Sequence, residues 1–296
     1  MAVCLLAFLC VTALFVGLRP EHFVLTGLFV GLFVAAPATR KLAVALVPFM
    51  VFGVSYDWMR IYPNYMVNPI DVKGLYDAEL SWFGISTADG VLIPCDFFAR
   101  HHGAVADFLA GVFYLCWVPV PIAFGVWLYF KGERDLYLRF SLVFLLVNLI
   151  GFAGYYMHPA APPWYALNYG FEAVLGTPGN VAGLGRFDEM TGLNIFHSIY
   201  GRNANVFAAV PSLHAAYMVV ALAYALMRRS GKWLTAVFAF IMVGIWWTAV
   251  YSSHHYIIDV LLGILCALCG ILLFEKGLRR IPAFRHFLEE YGRYIR

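Results

Sequence analysis

Charge is what this sequence has least of. Asp, Glu, Lys and Arg together make up 12% of its 296 residues, about half the roughly 25% of an ordinary soluble domain. No polar stretch is long enough for a separate globular domain. A length that would suit one or two soluble domains is therefore expected to fold as a single polytopic bundle. The net charge is only +3, which gives no case for nucleic-acid binding. The first apolar run lacks a basic n-region and a small-residue cleavage site, so it reads as a retained span and not as a secretory signal. Cysteines number six. Cys4, Cys10, Cys116, Cys266 and Cys269 lie in apolar runs, and Cys95 lies in a loop. The Cys266–Cys269 CxxC sits inside an apolar helix, where it reads as packing residues in place of a redox or metal pair.

Apolar residues are abundant: 62% of the chain is hydrophobic and 18% aromatic, with a mean hydropathy of +0.77. These values indicate an integral membrane protein. A spanning helix needs about 20 mainly apolar residues. Eight stretches qualify, at roughly 2–18, 23–39, 42–57, 104–130, 137–156, 208–227, 233–252 and 255–274. The expected fold class is thus all-α, a multi-pass membrane helix bundle. Lys and Arg mark its orientation. Fourteen fall on the face shared by the two termini and only six on the other, so both termini are expected to be cytoplasmic. Two long loops, 58–103 and 157–207, then lie outside, as does the tight turn at 252–255. Of nine histidines, eight fall on or near that outer face, which points to a polar site there. The tail 276–296 mixes basic residues with Phe, Leu, Tyr and Ile. It reads either as an amphipathic segment on the inner leaflet or as a solvated tail.

Three short elements carry the chemistry. In HHYIID, His255 and Asp259 are four apart and share one helical face. A carboxylate in a membrane span is expensive and is by default a functional hypothesis whose partner must be named; the partner here is His255. A carboxylate that accepts from one ring nitrogen fixes the tautomer and leaves the other nitrogen's lone pair free to react. The alternative is a structural pair that packs spans together. In VPSLH, Pro211 suits a helix start. Ser212 and the free N–H groups after it form an anion-binding end, and His214 sits in that first turn. Two histidines at one membrane depth can flank a phosphorus atom, one attacking while the other handles the leaving-group proton. A first-turn histidine that only packs is the plainer reading. In MHPAAPPWY, His158 opens a rigid, proline-rich interfacial segment, with or without a chemical role.

PSLH followed by HYIID resembles the second and third signature motifs of the type 2 phosphatidic acid phosphatase superfamily. The resemblance implies a six-helix core, here spans three to eight over about 42–275, preceded by two N-terminal spans in 1–41 and followed by the cytoplasmic tail. It also implies a histidine-based phosphoryl-transfer site. The departures from the pattern carry information. The superfamily's first motif ends in Arg-Pro with a lysine seven residues before the arginine; this chain has His158-Pro159 and Gly151. The third motif usually has an arginine six residues before its histidine, where Ala249 stands here. The second usually has glycine before its histidine, where Leu213 stands. A phosphomonoester dianion wants several cations. A phosphodiester carries one charge and needs fewer, so the losses favour a lipid diester and a transferase.

The chain is most similar to the inositol phosphorylceramide synthase branch and its bacterial members. There APPWY follows the fifth span, a GxxRxD stretch (Gly183 to Asp188) precedes the second motif, and the third reads HHY..D. That resemblance implies transfer of inositol phosphate from phosphatidylinositol to a ceramide-like lipid with release of diacylglycerol. In it His255 is the nucleophile, Asp259 its orienting carboxylate, and His214 the acid and then the base. Ser212 with nearby N–H groups would hold the phosphoryl oxygens. Arg186, Asp188, His158 and Arg202 are candidate substrate contacts, and no metal or cofactor is implied. The rival readings are a lipid phosphate phosphatase, a transferase of another phosphoalcohol head group, and a transporter or membrane cytochrome. A bacterial host would place the site on the periplasmic face of the inner membrane, and a eukaryotic one in the Golgi lumen.

Overall fold

The computed structural model describes residues 2–88, 90–201 and 205–296, with side chains from Leu5 onward. Among them one strand ladder is present, a hairpin of β1 (Ile85–Thr87) and β2 (Gly90–Leu92). The remainder is helices and their connections. Four helical stretches are long and apolar enough to cross a membrane: Ala104–Phe130, Arg134–Met157, Lys232–Tyr251 and Ile257–Arg280. A fifth is a bent pair, α3 (Pro37–Ala45) and α4 (Val47–Trp58), with a 47° break. Shorter apolar helices are α1 (Ala2–Phe15), α2 (Pro20–Ala35) and α13 (Leu213–Met227).

The break between α3 and α4 follows from Pro48, which has no N–H to give the carbonyl of Val44, four residues back. That carbonyl is taken by the hydroxyl of Tyr291 at 2.7 Å. Its neighbour, the Ala45 carbonyl, accepts from Tyr137 at 2.6 Å. Two aromatic hydroxyls thus repair the backbone where the proline interrupts it. The N-terminal helices are laced to α4 by side chains. Asp57 meets both Arg19 and His22, and Trp58 donates its indole N–H to Thr12 at 3.1 Å.

The 104–130 span is built from α7 (Ala104–Tyr114) and α8 (Pro119–Phe130). The central helix is α9 (Arg134–Met157), which packs against α4, α8, α13 and α15 (Ile257–Leu272). Its Phe140, Phe144 and Val147 are fully buried. The side chain of α9 residue Asn148 accepts a hydrogen bond from Tyr217 of α13. Helices α13 and α15 approach closely because Gly263 has no Cβ; one there would lie 2.0 Å from the carbonyl oxygen of Ser212.

The two long connections are folded. The first carries α5 (Lys73–Phe83), the hairpin and α6 (Pro94–Arg100), and the second carries α10 (Pro163–Tyr169), α11 (Gly185–Thr191) and α12 (Ile195–Tyr200). They are stitched together by backbone bonds, Asp71 N–H to Pro159 O at 2.8 Å and Ala161 N–H to Asp71 O at 2.9 Å. Both cover the bundle end where α15 begins. Helix α14 (Lys232–Tyr251) packs against α7 and α13, and α16 (Pro282–Ile295) packs against α3 and α9. Helix α16 is amphipathic, and its Phe284, Leu288 and Tyr291 pack on the bundle core. Near it Glu275 binds Arg139 at 2.8 Å and receives the Tyr224 hydroxyl at 2.6 Å.

Candidate active site

Asp259 stands in the first turn of α15. Its Oδ2 accepts the backbone N–H of Tyr256 at 2.9 Å, the capping arrangement expected of an acidic residue at a helix start. The same oxygen lies 3.3 Å from Nδ1 of His255. With the Nδ1 proton given to Asp259, His255 presents Nε2 as a lone pair. That atom is 3.0 Å from Nδ1 of His214. His214 reaches it from the first turn of α13, whose N-cap, Ser212, accepts from the Ala215 N–H at 3.3 Å. The two helix starts are tied directly by Ser212 N–H to Asp259 O at 3.0 Å. Two imidazoles and a carboxylate thus form one chain of hydrogen bonds, with Nε2 of His255 and Nδ1 of His214 facing each other.

Each member is held from behind. The His214 ring lies between Trp117, 4.2 Å away between centroids, and Tyr114, stacked at 5.1 Å. The His255 backbone sits in a tight turn in which the N–H groups of His254 and His255 both donate to Ala249 O, at 3.0 and 2.9 Å. Ser253 in this turn has φ +61°, a left-handed conformation that costs free energy for a residue with a side chain. The surroundings impose it: Ser253 donates its hydroxyl to Cys95 O at 3.3 Å, and its carbonyl accepts from Trp164 N–H at 3.0 Å.

Beside the histidine pair is a cavity of about 230 Å³. Aromatic side chains are prominent in its walls, with Phe52, Tyr56, Trp117, Trp164, Tyr200 and Tyr217 among them. Among the described lining residues the only cationic or potentially cationic groups are His214, His254 and His255. His254 was not singled out in the sequence. It is buried, shares a hydrogen bond with the Ser252 hydroxyl at 3.0 Å and packs on Tyr200 at 4.3 Å. Burial and the adjacent His255 push its pKa down to about 3, so its ring is neutral at ordinary pH.

The sequence-derived substrate contacts are placed less uniformly. Arg186 donates to Asp107 at 2.6 Å, and Asp107 also receives the Tyr251 hydroxyl at 2.8 Å. Asp188 takes the backbone N–H groups of Ile195, Phe196 and His197, at 3.2, 3.2 and 2.9 Å, and so caps α12. Burial alone would raise its pKa, but these donors and the His197 ring hold it below the usual carboxylate range. Arg186 and Asp188 therefore do not pair with each other, and neither lines the cavity. His158 is half-exposed and lies 3.3 Å from Asp71. Arg202 falls outside the described residues.

One buried carboxylate beside the site had no signal in the sequence. Glu79 of α5 is fully buried and accepts the N–H groups of Ile257 and Ile258 at 2.8 and 3.2 Å. Its partners are backbone groups 178 and 179 residues away, which no local pattern announces.

A family model for the PAP2 superfamily, the type 2 phosphatidic acid phosphatases, matches residues 92–273. The chain belongs to the PAP2 superfamily. It is 66% identical to the phosphoinositol dihydroceramide synthase of Bacteroides thetaiotaomicron over 98% of this chain and 95% of that protein. It is 27% identical to the catalytic subunit of inositol phosphorylceramide synthase from Saccharomyces cerevisiae, over 79% of this chain and 57% of the yeast protein. The Candida albicans inositol phosphorylceramide synthase is 28% identical over 54% of this chain and 35% of its own length. The chain thus spans only part of the fungal relatives it matches. No solved structure matches it.

Within this PAP2 site the departures from the superfamily pattern have structural counterparts. Leu213 fills the space above Gly151, and Ala249 is fully buried beneath the turn it supports. At Gly151 a Cβ would already stand 2.5 Å from Leu213 Cδ2, so a lysine has no room there while Leu213 keeps its place.

Proposed function

We propose that this protein transfers inositol phosphate from phosphatidylinositol to dihydroceramide or a similar ceramide-like lipid, releasing diacylglycerol. The observation that carries the reading is the 3.0 Å approach of His255 Nε2 and His214 Nδ1, with Asp259 behind His255. The reaction class named for its 66% identical relative supports it.

In the first step Nε2 of His255 attacks phosphorus, the P–N bond forms and the bond to the diacylglycerol oxygen breaks. His214 gives that oxygen its proton. In the second step His214 takes the proton of the ceramide hydroxyl, whose oxygen attacks phosphorus, and the P–N bond breaks. Both histidines end as they began. Asp259 keeps the Nδ1 proton on His255 and stabilises the positive charge that develops on the ring. Backbone N–H groups at the start of α13, ordered by Ser212, face the phosphoryl oxygens. The aromatic cavity, lacking Lys or Arg among its described lining, suits a singly charged diester better than a dianion. His254 and Tyr200 offer polar edges to the head group. Asp188 serves this site by capping α12, which ends at Tyr200, and Arg186 by holding Asp107. His158 and Arg202 remain candidate contacts at the outer rim.

The same reading completes the topology. The four long spans, the bent pair and the three shorter apolar helices make the eight spans, with residues 42–275 as the catalytic core and 1–41 as an N-terminal pair. The histidines face the periplasm of a bacterial inner membrane, and α16 closes the cytoplasmic end. Thin-layer analysis of lipids made by purified protein tests the assignment. Phosphatidylinositol plus dihydroceramide should yield inositol phosphorylceramide and diacylglycerol. Release of free phosphate from phosphatidic acid, without transfer from phosphatidylinositol, would favour a phosphatase instead.

A further inference from the structure

The first N–H groups of a helix have no partner within it and must find one elsewhere. At the start of α15 those groups are divided between two carboxylates. Asp259, in the helix itself, takes the N–H of Tyr256 at 2.9 Å. Glu79, from the outer segment before the first long span, takes the next two, Ile257 at 2.8 Å and Ile258 at 3.2 Å. Glu79 and Asp259 both have no solvent exposure. Burying a carboxylate beside another is costly, and a neutral residue would fill the space more cheaply. The same outer segment grips the adjoining turn again. The Cys95 thiol donates to His255 O at 3.4 Å, and Cys95 O receives the Ser253 hydroxyl at 3.3 Å. The backbone from Ser253 to Ile258 is therefore held by α5 and α6, and not only by the two spans it joins.

We propose that Glu79 is a positioning residue for phosphoryl transfer: by clasping the Ile257 and Ile258 N–H groups it fixes the start of α15, and with it the aim of His255 Nε2 toward His214. The proposal rests on His255 as nucleophile. A misplacement of about 1 Å in an attacking group costs on the order of 100-fold in rate, so a loosened helix start is read directly in the chemical step. The Cys95 side chain contributes through a single weak hydrogen bond and has a smaller effect.

The test is a single-turnover measurement with phosphatidylinositol labelled at phosphorus, in the absence of acceptor. Label on the protein is followed by rapid quench for the wild type, Glu79→Gln, Glu79→Ala, Cys95→Ala and His255→Ala. The final amplitude reports the fraction of competent protein, and the rate constant reports positioning. The expected result is a rate constant lowered about tenfold or more in Glu79→Gln, further in Glu79→Ala and only a few-fold in Cys95→Ala. Amplitude should scale with the folded fraction and not account for the loss. Unchanged rate constants with reduced amplitude would show that Glu79 only supports folding and would overturn the proposal. So would wild-type rates and amplitudes in both Glu79 variants. In either case His255→Ala, without label, would leave the nucleophile assignment intact. Labelling of His255→Ala at the wild-type rate would instead remove the assignment on which the proposal rests.

Discussion

Leu213 lies against Gly151 so closely that a Cβ on the glycine would stand 2.5 Å from the leucine Cδ2. These are the two positions at which the superfamily pattern usually has glycine and lysine, in the opposite sense. The small and large residues have changed places, and the leucine fills space that a cationic side chain would need. Gly151→Ala should cost about 1–3 kcal/mol by overpacking. In a Leu213→Ala background the penalty should largely vanish, giving a strong coupling in a double-mutant cycle. Thermal unfolding in detergent of the four proteins checks this, and additive effects would show that the two side chains do not compete for one space.

Asp107 has 6% of its side chain exposed and is paired with Arg186. Removing one partner of a buried pair leaves an uncompensated charge at a cost of about 3–5 kcal/mol; the 22% exposure of Arg186 places it below that range. Arg186→Gln should lower the unfolding temperature, and Arg186→Gln combined with Asp107→Asn should recover much of it. A variant of Arg186 with normal stability and a raised KM for phosphatidylinositol would instead make the arginine a substrate contact.

Trp117 and Tyr114 flank the His214 ring. In the proposed mechanism His214 carries the proton destined for diacylglycerol, and the tilted indole ring 4.2 Å away between centroids would stabilise that charge. Such contacts are worth about 0.5–2 kcal/mol. Trp117→Phe should therefore lower kcat modestly and Trp117→Leu by several-fold to about thirty-fold, with KM nearly unchanged. Equal kcat in both variants would show that the ring only fills space.

Glu79 has its pKa raised from 4.5 to about 7, chiefly by burial, with the Ile257 and Ile258 N–H groups opposing the rise and Asp259 adding to it. Between those two values the folded chain holds a proton that the unfolded chain has released. Its contribution therefore becomes less favourable to folding as pH rises from about 4.5 to 7. Glu79→Gln should remove that slope, so the wild type should lose more stability than the variant between pH 5 and pH 8. Parallel unfolding curves across that range would contradict the raised pKa. The contrast with transfer rate is the informative part: a variant as stable as wild type at pH 8, yet slower in chemistry, separates positioning from support of the fold.

The parts legible in the sequence were those whose chemistry clashes with their surroundings. A histidine and an aspartate one turn apart in an apolar run, and a proline, serine and histidine opening another, mark His255, Asp259 and His214 as candidates, and the structure brings the three together. The apolar runs likewise mark the long helices. What stayed hidden depends on partners far along the chain. Arg186 and Asp188 looked like one motif because they are two residues apart, yet a helix turns them in different directions, toward Asp107 and toward the start of α12. Glu79 acts on backbone groups, which every residue has, so nothing in the sequence distinguishes its partners. His254 looks like a duplicate of His255, and only the turn, which places its ring on Tyr200, tells the two apart. The span expected at 42–57 runs through Pro48 without a break, so neither the 47° bend there nor the Tyr291 hydroxyl that satisfies the freed carbonyl was legible.

Covalent capture of the head group by one imidazole is the central step of the proposed transfer. Purified protein given phosphatidylinositol labelled in its inositol ring, without acceptor, and then digested and mapped, tests this directly. Acid-labile label on the peptide containing His255, chased into inositol phosphorylceramide by dihydroceramide and absent in His255→Ala, is the predicted result. An enzyme that transfers inositol phosphate while no label accumulates on His255 in single turnover, or a His255→Ala variant that still transfers, would contradict it.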